Sequence, residues 1–167
     1  MSNAPVVSID ALLNLVDTIQ SSFSSLLEGL EPKNLQTDSA EGGWDIPHIM
    51  SHVIGSLNDM VSMMQAVSLG ITSFNLIPGN TFWREEFAQA DAQLFMRELE
   101  LAVSRNKEAL ARFDPVHFQV QVHLPFGHFL FGDMMMFNYG KHILGDHLNQ
   151  LKTALSSKPI EANSSQD

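Results

Sequence analysis

Histidines are the side chains with which this chain could do chemistry. The sequence contains seven of them: His48, His52, His117, His123, His128, His142 and His147. It contains no Cys, which excludes disulfides, thiolate metal sites and a cysteine nucleophile. The motifs of zinc proteases, serine hydrolases, nucleotide-binding P-loops and dinucleotide-binding folds are absent as well. With no thiol in the chain, the imidazole nitrogens are therefore its natural ligands for a soft metal ion.

Length and charge narrow the class of partner. The chain has 167 residues, of which 44% are hydrophobic, and this suffices for one domain with its own core. Its formal net charge is −10 and it has no basic run, so we expect neither a nucleic acid nor an anionic membrane surface as a partner. Residues 1–16 lack the features of a signal peptide, and no segment is apolar enough to span a bilayer. We therefore expect a cytoplasmic protein.

Four segments have the three- and four-residue spacing of apolar side chains that is typical of amphipathic helices. The predicted helices cover residues 9–30, 46–69, 91–113 and 133–155. Ser8 and Asp45 are suitable N-caps for the first two, and Gly70 should end the second. The polar C-terminal residues 157–167 are predicted to be a flexible tail, so that residues 1–156 form a single domain.

Two connections between the predicted helices carry structure of their own. Residues 70–89 are rich in apolar side chains but have no clear period, as expected of a long crossover connection. Phe118, Val120 and Val122 alternate with polar residues, and a turn at 125–127 followed by residues 128–131 favours a short β-hairpin. The predicted fold is all-α: a four-helix bundle with a long crossover between helices 2 and 3 and a small β-hairpin before helix 4.

The positions of the histidines on these helices limit which of them could share an ion. If the apolar stripe of residues 137–155 faces the core of a regular α-helix, His147 lies about 75° to one side, while His142 and Asp146 lie near the back. His142 and His147 then cannot both come within the 2.0–2.2 Å that a ligand requires. A one-residue π-bulge would absorb the extra residue between them. His52 lies at the margin of its helix's apolar arc and at a similar depth to His147.

Three motifs resemble those of the DinB-like family. The segment 43–52 is similar to the start of the family's second helix, with a Trp, a capping residue, and His52 eight places after the Trp. His147, followed three residues later by Gln150 and an aliphatic residue, resembles the signature of its fourth helix. The segment 123–127, His-Leu-Pro-Phe-Gly, is similar to a His-Pro-Phe-Gly turn in one branch of the family. The order and spacing of these motifs hold over roughly residues 8–155.

The resemblance implies a four-helix bundle, often a dimer, that holds a divalent nickel or zinc ion at one end with three side chains, usually His. His52 and His147 match two of these ligands. The family places the third ligand four residues before the last His, where this chain has Ile143. His142, Asp146 or a water molecule would then complete the metal site.

Three functions remain open at this stage. The first is a divalent-metal-dependent enzyme of the thiol-transferase or hydrolase type that acts on a small molecule, as a homodimer. The second is a bundle that has lost its metal and binds a small ligand or a partner without catalysis. The third is a purely structural dimer that binds neither a metal nor a ligand. For the other histidines we favour structural roles: His48 as a polar residue of a first helical turn, His117 at the surface, and His123 and His128 beside the hairpin turn.

Overall fold

The computed structural model describes residues 7–35, 44–76 and 85–156, and these residues are mostly helical with a small antiparallel hairpin. The helices are α1 (Ile9–Leu27), α2 (Pro32–Leu35), α3 (Ile46–Ser68), α4 (Ala92–Arg112), α5 (Phe131–Met136) and α6 (Leu148–Ser156). A π-helix (Phe137–His147) joins α5 to α6 without a break. Two 3-10 helices (Glu85–Gln89 and Pro115–Gln119) precede α4 and the hairpin, whose strands are β1 (Gln121–Leu124) and β2 (Gly127–Leu130). The all-α class predicted from the sequence is confirmed.

Side-chain caps start the long helices where the sequence predicts. Ser8 accepts a hydrogen bond from the Ala11 amide at the start of α1, and Asp45 accepts one from the His48 amide at the start of α3. Gly70, with φ of +81°, follows α3 in the left-handed conformation that glycine adopts without steric cost. The first helix was predicted three residues too long, since α1 ends at Leu27.

The core lies between the long helices. α4 packs against both α1 and α3, and the π-helix contacts α1 and α3. Of the predicted crossover, residues 70–76 and 85–89 are described. The Phe74 amide donates to the His123 carbonyl at 2.9 Å, and Phe87 is buried against Phe95. Residues 77–84 of that connection and the predicted tail at 157–167 lie outside the described residues.

The hairpin begins later than the alternating pattern predicted. The predicted start, Phe118, lies in the 3-10 helix instead, because Asp114 caps this helix by accepting from the Val116 amide and Pro115 supplies its first residue. Phe118 is buried there against Gly132 of α5: a Cβ on this glycine would lie 2.9 Å from the Phe118 Cβ. Close packing of the two backbones therefore takes Phe118 out of the strand.

The predicted inward face of the fourth helix was wrong at its start, whereas Leu148 and Leu151 near its end are buried as predicted. Phe137, placed on the apolar stripe, is 53% exposed, whereas Tyr139 and Ile143 are fully buried. The reason is the eleven-residue π-helix, whose backbone hydrogen bonds join residues five apart rather than four. A wheel drawn with regular α-helical geometry accumulates an error in rotation along this segment.

A buried hydrogen-bond network fixes the π-helix against its neighbours. The Tyr139 hydroxyl donates to Asn106 Oδ1 at 2.6 Å. The Asn106 Nδ2 donates to the carbonyls of Leu57 and Ala102, each at 2.8 Å. Burial raises the pKa of Tyr139, so its hydroxyl keeps its proton and remains a donor. The network thus joins α3, α4 and the π-helix through fully buried side chains.

We predict that Tyr139→Phe destabilises the protein by about 1–3 kcal/mol, because it leaves the buried Asn106 Oδ1 without its donor. Chemical denaturation followed by circular dichroism measures the free energy of unfolding. Ser21→Ala is the control, since its exposed hydroxyl bonds only to a carbonyl of its own helix; we expect a change within about 0.5 kcal/mol. Equal stability of Tyr139→Phe and the wild type would contradict a stabilising role for the network.

Candidate metal centre

Three histidines converge from two elements. His52 is on α3, and His142 and His147 are both on the π-helix. Their candidate ligand atoms all lie within 4.8 Å of one another. His52 and His147 are buried, whereas His142 is half-buried. The three residues singled out in the sequence are therefore neighbours in the structure.

The π-helix is what brings His142 and His147 together. Because backbone hydrogen bonds in a π-helix join residues five apart, side chains with this spacing lie on the same side of the helix. The two ring centroids are 4.4 Å apart. The π-helical segment that a shared ion requires is thus present. Asp146, the alternative third ligand, is exposed and lies outside the cluster.

The nitrogen positions fit a single cation. His142 Nε2 lies 3.0 Å from His52 Nε2 and 3.3 Å from His147 Nε2. Two imidazole nitrogens bound tetrahedrally to zinc at 2.0–2.1 Å would be about 3.3 Å apart. The same three atoms make a poor hydrogen-bond network when the rings are neutral. A hydrogen on one Nε2 can serve only one of the two short contacts, and the other contact is left without a hydrogen bond.

A glutamine side chain holds His147 in the orientation that a ligand needs. His147 Nδ1 lies 2.7 Å from Gln150 Oε1, and because the amide oxygen can only accept, Nδ1 carries the hydrogen. In neutral His147 the Nε2 lone pair is then free to point at the other two rings. Hydrogen bonds of this kind to the remote nitrogen fix the tautomer and orientation of metal-binding histidines.

Aromatic rings enclose the cluster. Trp44 stacks on His147, with ring centroids 5.6 Å apart, and meets the edge of His52 at 4.9 Å. Phe137 stacks on His142 at 6.5 Å. The sequence analysis placed Phe137 in the core and did not predict its position beside the cluster. The spacing of five residues between Phe137 and His142 indicates that they are neighbours only when the segment is known to be π-helical.

The rings are kept neutral by their surroundings. Burial, together with the neighbouring imidazoles of His147 and His142, lowers the pKa of His52 to about 4. Burial also lowers the pKa of His142 and of His147, although Asp146 opposes the change in both. Neutral imidazoles are the form that binds metal ions, so at neutral pH protons compete weakly for these nitrogens.

The remaining histidines lie elsewhere in the structure. His48 Nδ1 bonds to the Asp45 carboxylate at 2.6 Å, which agrees with a polar residue in the first turn of α3. His117 packs against the ring of Phe113. His123 and His128 face each other across the hairpin. None of the four belongs to the cluster found among the described residues.

No family model, curated protein or solved structure matches the chain. The family assignment is therefore a prediction that depends on the sequence motifs.

Within the described residues, no helix combines the length and the apolar character needed to cross a membrane.

We predict that Gln150→Leu weakens metal binding about 10- to 100-fold, because His147 loses the acceptor that fixes its Nδ1 hydrogen. Competition with a chromogenic chelator measures the affinity for Zn²⁺. Asn149→Ala, a substitution at the neighbouring exposed position, should leave the affinity unchanged. If both variants bind Zn²⁺ as tightly as the wild type, Gln150 does not orient His147.

Proposed function

We propose that this protein is a DinB-like, divalent-metal-dependent enzyme, of the thiol-transferase or hydrolase type, that acts on a small molecule. The observation that carries the proposal is the convergence of His52, His142 and His147 with their ligand atoms within 4.8 Å. Nickel or zinc is the proposed metal, since imidazole suits both ions.

The number of protein ligands favours a catalytic centre over a structural one. Structural zinc sites are closed by four protein ligands, whereas catalytic sites have three and leave a position for water or substrate. When bound, a divalent ion would act as a Lewis acid and lower the pKa of a water or thiol in that position. His142 is only half-buried, so this side of the centre is accessible from solvent.

The surrounding residues would bind and position a small apolar substrate. Trp44 and Phe137 lie against two different imidazoles of the cluster, and Phe137 is 53% exposed. The Lys141 ammonium lies over the Phe137 ring, 5.6 Å from its centroid. These side chains offer aromatic surface and one positive charge on the side of the cluster where His142 lies.

The π-helix reconciles the chain with the family that it resembles. In that family the third ligand precedes the last His by four residues, and here that position holds the buried Ile143. A ligand five residues before His147 reaches the same centre when the segment is π-helical. We further propose that α1, α3, α4 and the continuous α5–π–α6 rod form the family's four-helix bundle, in which the connection between α3 and α4 is the crossover.

Metal analysis of the purified protein tests the proposal. We expect close to one equivalent of Zn²⁺ or Ni²⁺ at the three-histidine centre, and a loss of roughly a hundredfold or more in affinity in His52→Ala and in His147→Ala, since removing a ligand costs more than removing its orienting partner. Binding should also change the fluorescence of Trp44, which stacks on His147. His117→Ala is the matched control and should behave as the wild type.

Activity distinguishes an enzyme from a binding protein. The metal-loaded protein should turn over either a chromogenic ester or a thiol with an activated aryl halide, and a chelator should abolish turnover. Metal far below one equivalent, unchanged in both histidine variants, would overturn the proposal. A ligand that stabilises such metal-free protein in a thermal-shift screen would instead support the second function, a small-molecule-binding bundle.

A further inference from the structure

The hairpin carries a second pair of histidines that the proposed centre does not use. His123 and His128 are directly opposite each other in the antiparallel register of β1 and β2. His123 directs its amide to the Thr72 carbonyl at 2.8 Å and its carbonyl to the Phe74 amide at 2.9 Å. Its backbone groups thus bond on the side away from β2. The two residues form a non-hydrogen-bonded pair, the kind in which opposite side chains lie closest.

The two rings present nitrogen atoms to each other. His123 Nδ1 lies 2.5 Å from His128 Nδ1, the ring centroids are 4.5 Å apart, and the ring planes are inclined at 76°. Only one hydrogen can lie between these nitrogens, so in neutral rings at least one of them presents a lone pair. Two nitrogens at 2.0–2.1 Å from one metal ion would be about 2.9 Å apart at the right angle of a square-planar site and about 3.3 Å apart at the tetrahedral angle. A small rotation of the exposed His128 side chain would suffice to reach a separation in this range.

We propose that His123 and His128 form a second cation site, for a late first-row divalent metal ion bound by the two Nδ1 atoms and by water. Neutral imidazole is a good ligand for copper, nickel and zinc ions. The formal net charge of −10 raises the local concentration of cations around the protein. The pair lies on the hairpin, apart from the three-histidine cluster on α3 and the π-helix.

The backbone holds this pair in place before any ion arrives. β1 is bonded to β2 on one side and to residues 72–74 on the other. Val122 and Leu124, which flank His123, are buried and fix the face on which its ring emerges. Gly127, with φ of +152°, allows the tight return of the chain. A site formed in advance loses little conformational entropy when it binds.

Titration with Cu²⁺ alone tests the proposal, because copper binds most tightly among these divalent ions. Equilibrium dialysis gives the stoichiometry, and electron paramagnetic resonance reports the nitrogen ligands. We expect His123→Ala/His128→Ala to lose one equivalent of Cu²⁺, or to bind it at least about tenfold more weakly. His52→Ala/His147→Ala should keep that equivalent, with the signal of two nitrogen ligands.

A register variant controls for the number of histidines. His128→Ala/Phe129→His retains seven histidines but moves one imidazole to the opposite face of the hairpin, since side chains alternate along a strand. We expect this variant to bind Cu²⁺ as weakly as the hairpin double alanine variant. Wild-type binding in either variant would overturn the proposal. The variant His52→Ala/His147→Ala separates the two centres. If the three-histidine site does not bind metal, the equivalent of Cu²⁺ bound at the hairpin should still be present in this variant.

Discussion

The hydrogen bond between Tyr139 and Asn106, inside the core, is the contact on which the candidate metal centre depends. It fixes the rotation of the π-helix against α4, and the second amide hydrogen bond of Asn106 continues to the Leu57 carbonyl on α3. His52 is on that same helix, five residues earlier. The two elements that carry the three imidazoles are therefore tied together by a short, buried polar network. Such a network is costly to break, because each buried group would be left without a partner.

The centre uses both buried and accessible groups. Burial of His52 and His147 keeps these imidazoles neutral, while the half-buried His142 leaves one side open to solvent. A closed arrangement would suit a structural ion, and a fully exposed one would bind weakly. The intermediate arrangement, with aromatic rings on two sides, is the one that the proposed enzyme requires.

The helices could be predicted from the sequence because their signals are local. Ser8 and Asp45 are residue types that commonly cap helices, and both accept a cap hydrogen bond in the structure. The all-α class followed from the spacing of apolar residues. The inward face at the start of the fourth helix was not predictable in this way. A helical wheel assumes one rotation per residue throughout, and the π-helix changes that rotation for tertiary reasons, including the partner that Tyr139 finds on α4. The sequence nevertheless indicated where such a change was needed, because His142 and His147 could not otherwise meet.

In the rod formed by α5, the π-helix and α6, the number of residues determines the direction in which the later side chains point, because the helix is continuous. Removing or adding one residue there would turn everything that follows by about 100°, moving Leu151 out of the interior and His147 away from its partners together. Substitutions can alter these side chains one at a time, whereas a change of length alters packing and ligation in a single step. This segment should therefore vary in composition among homologous chains far more readily than in residue count.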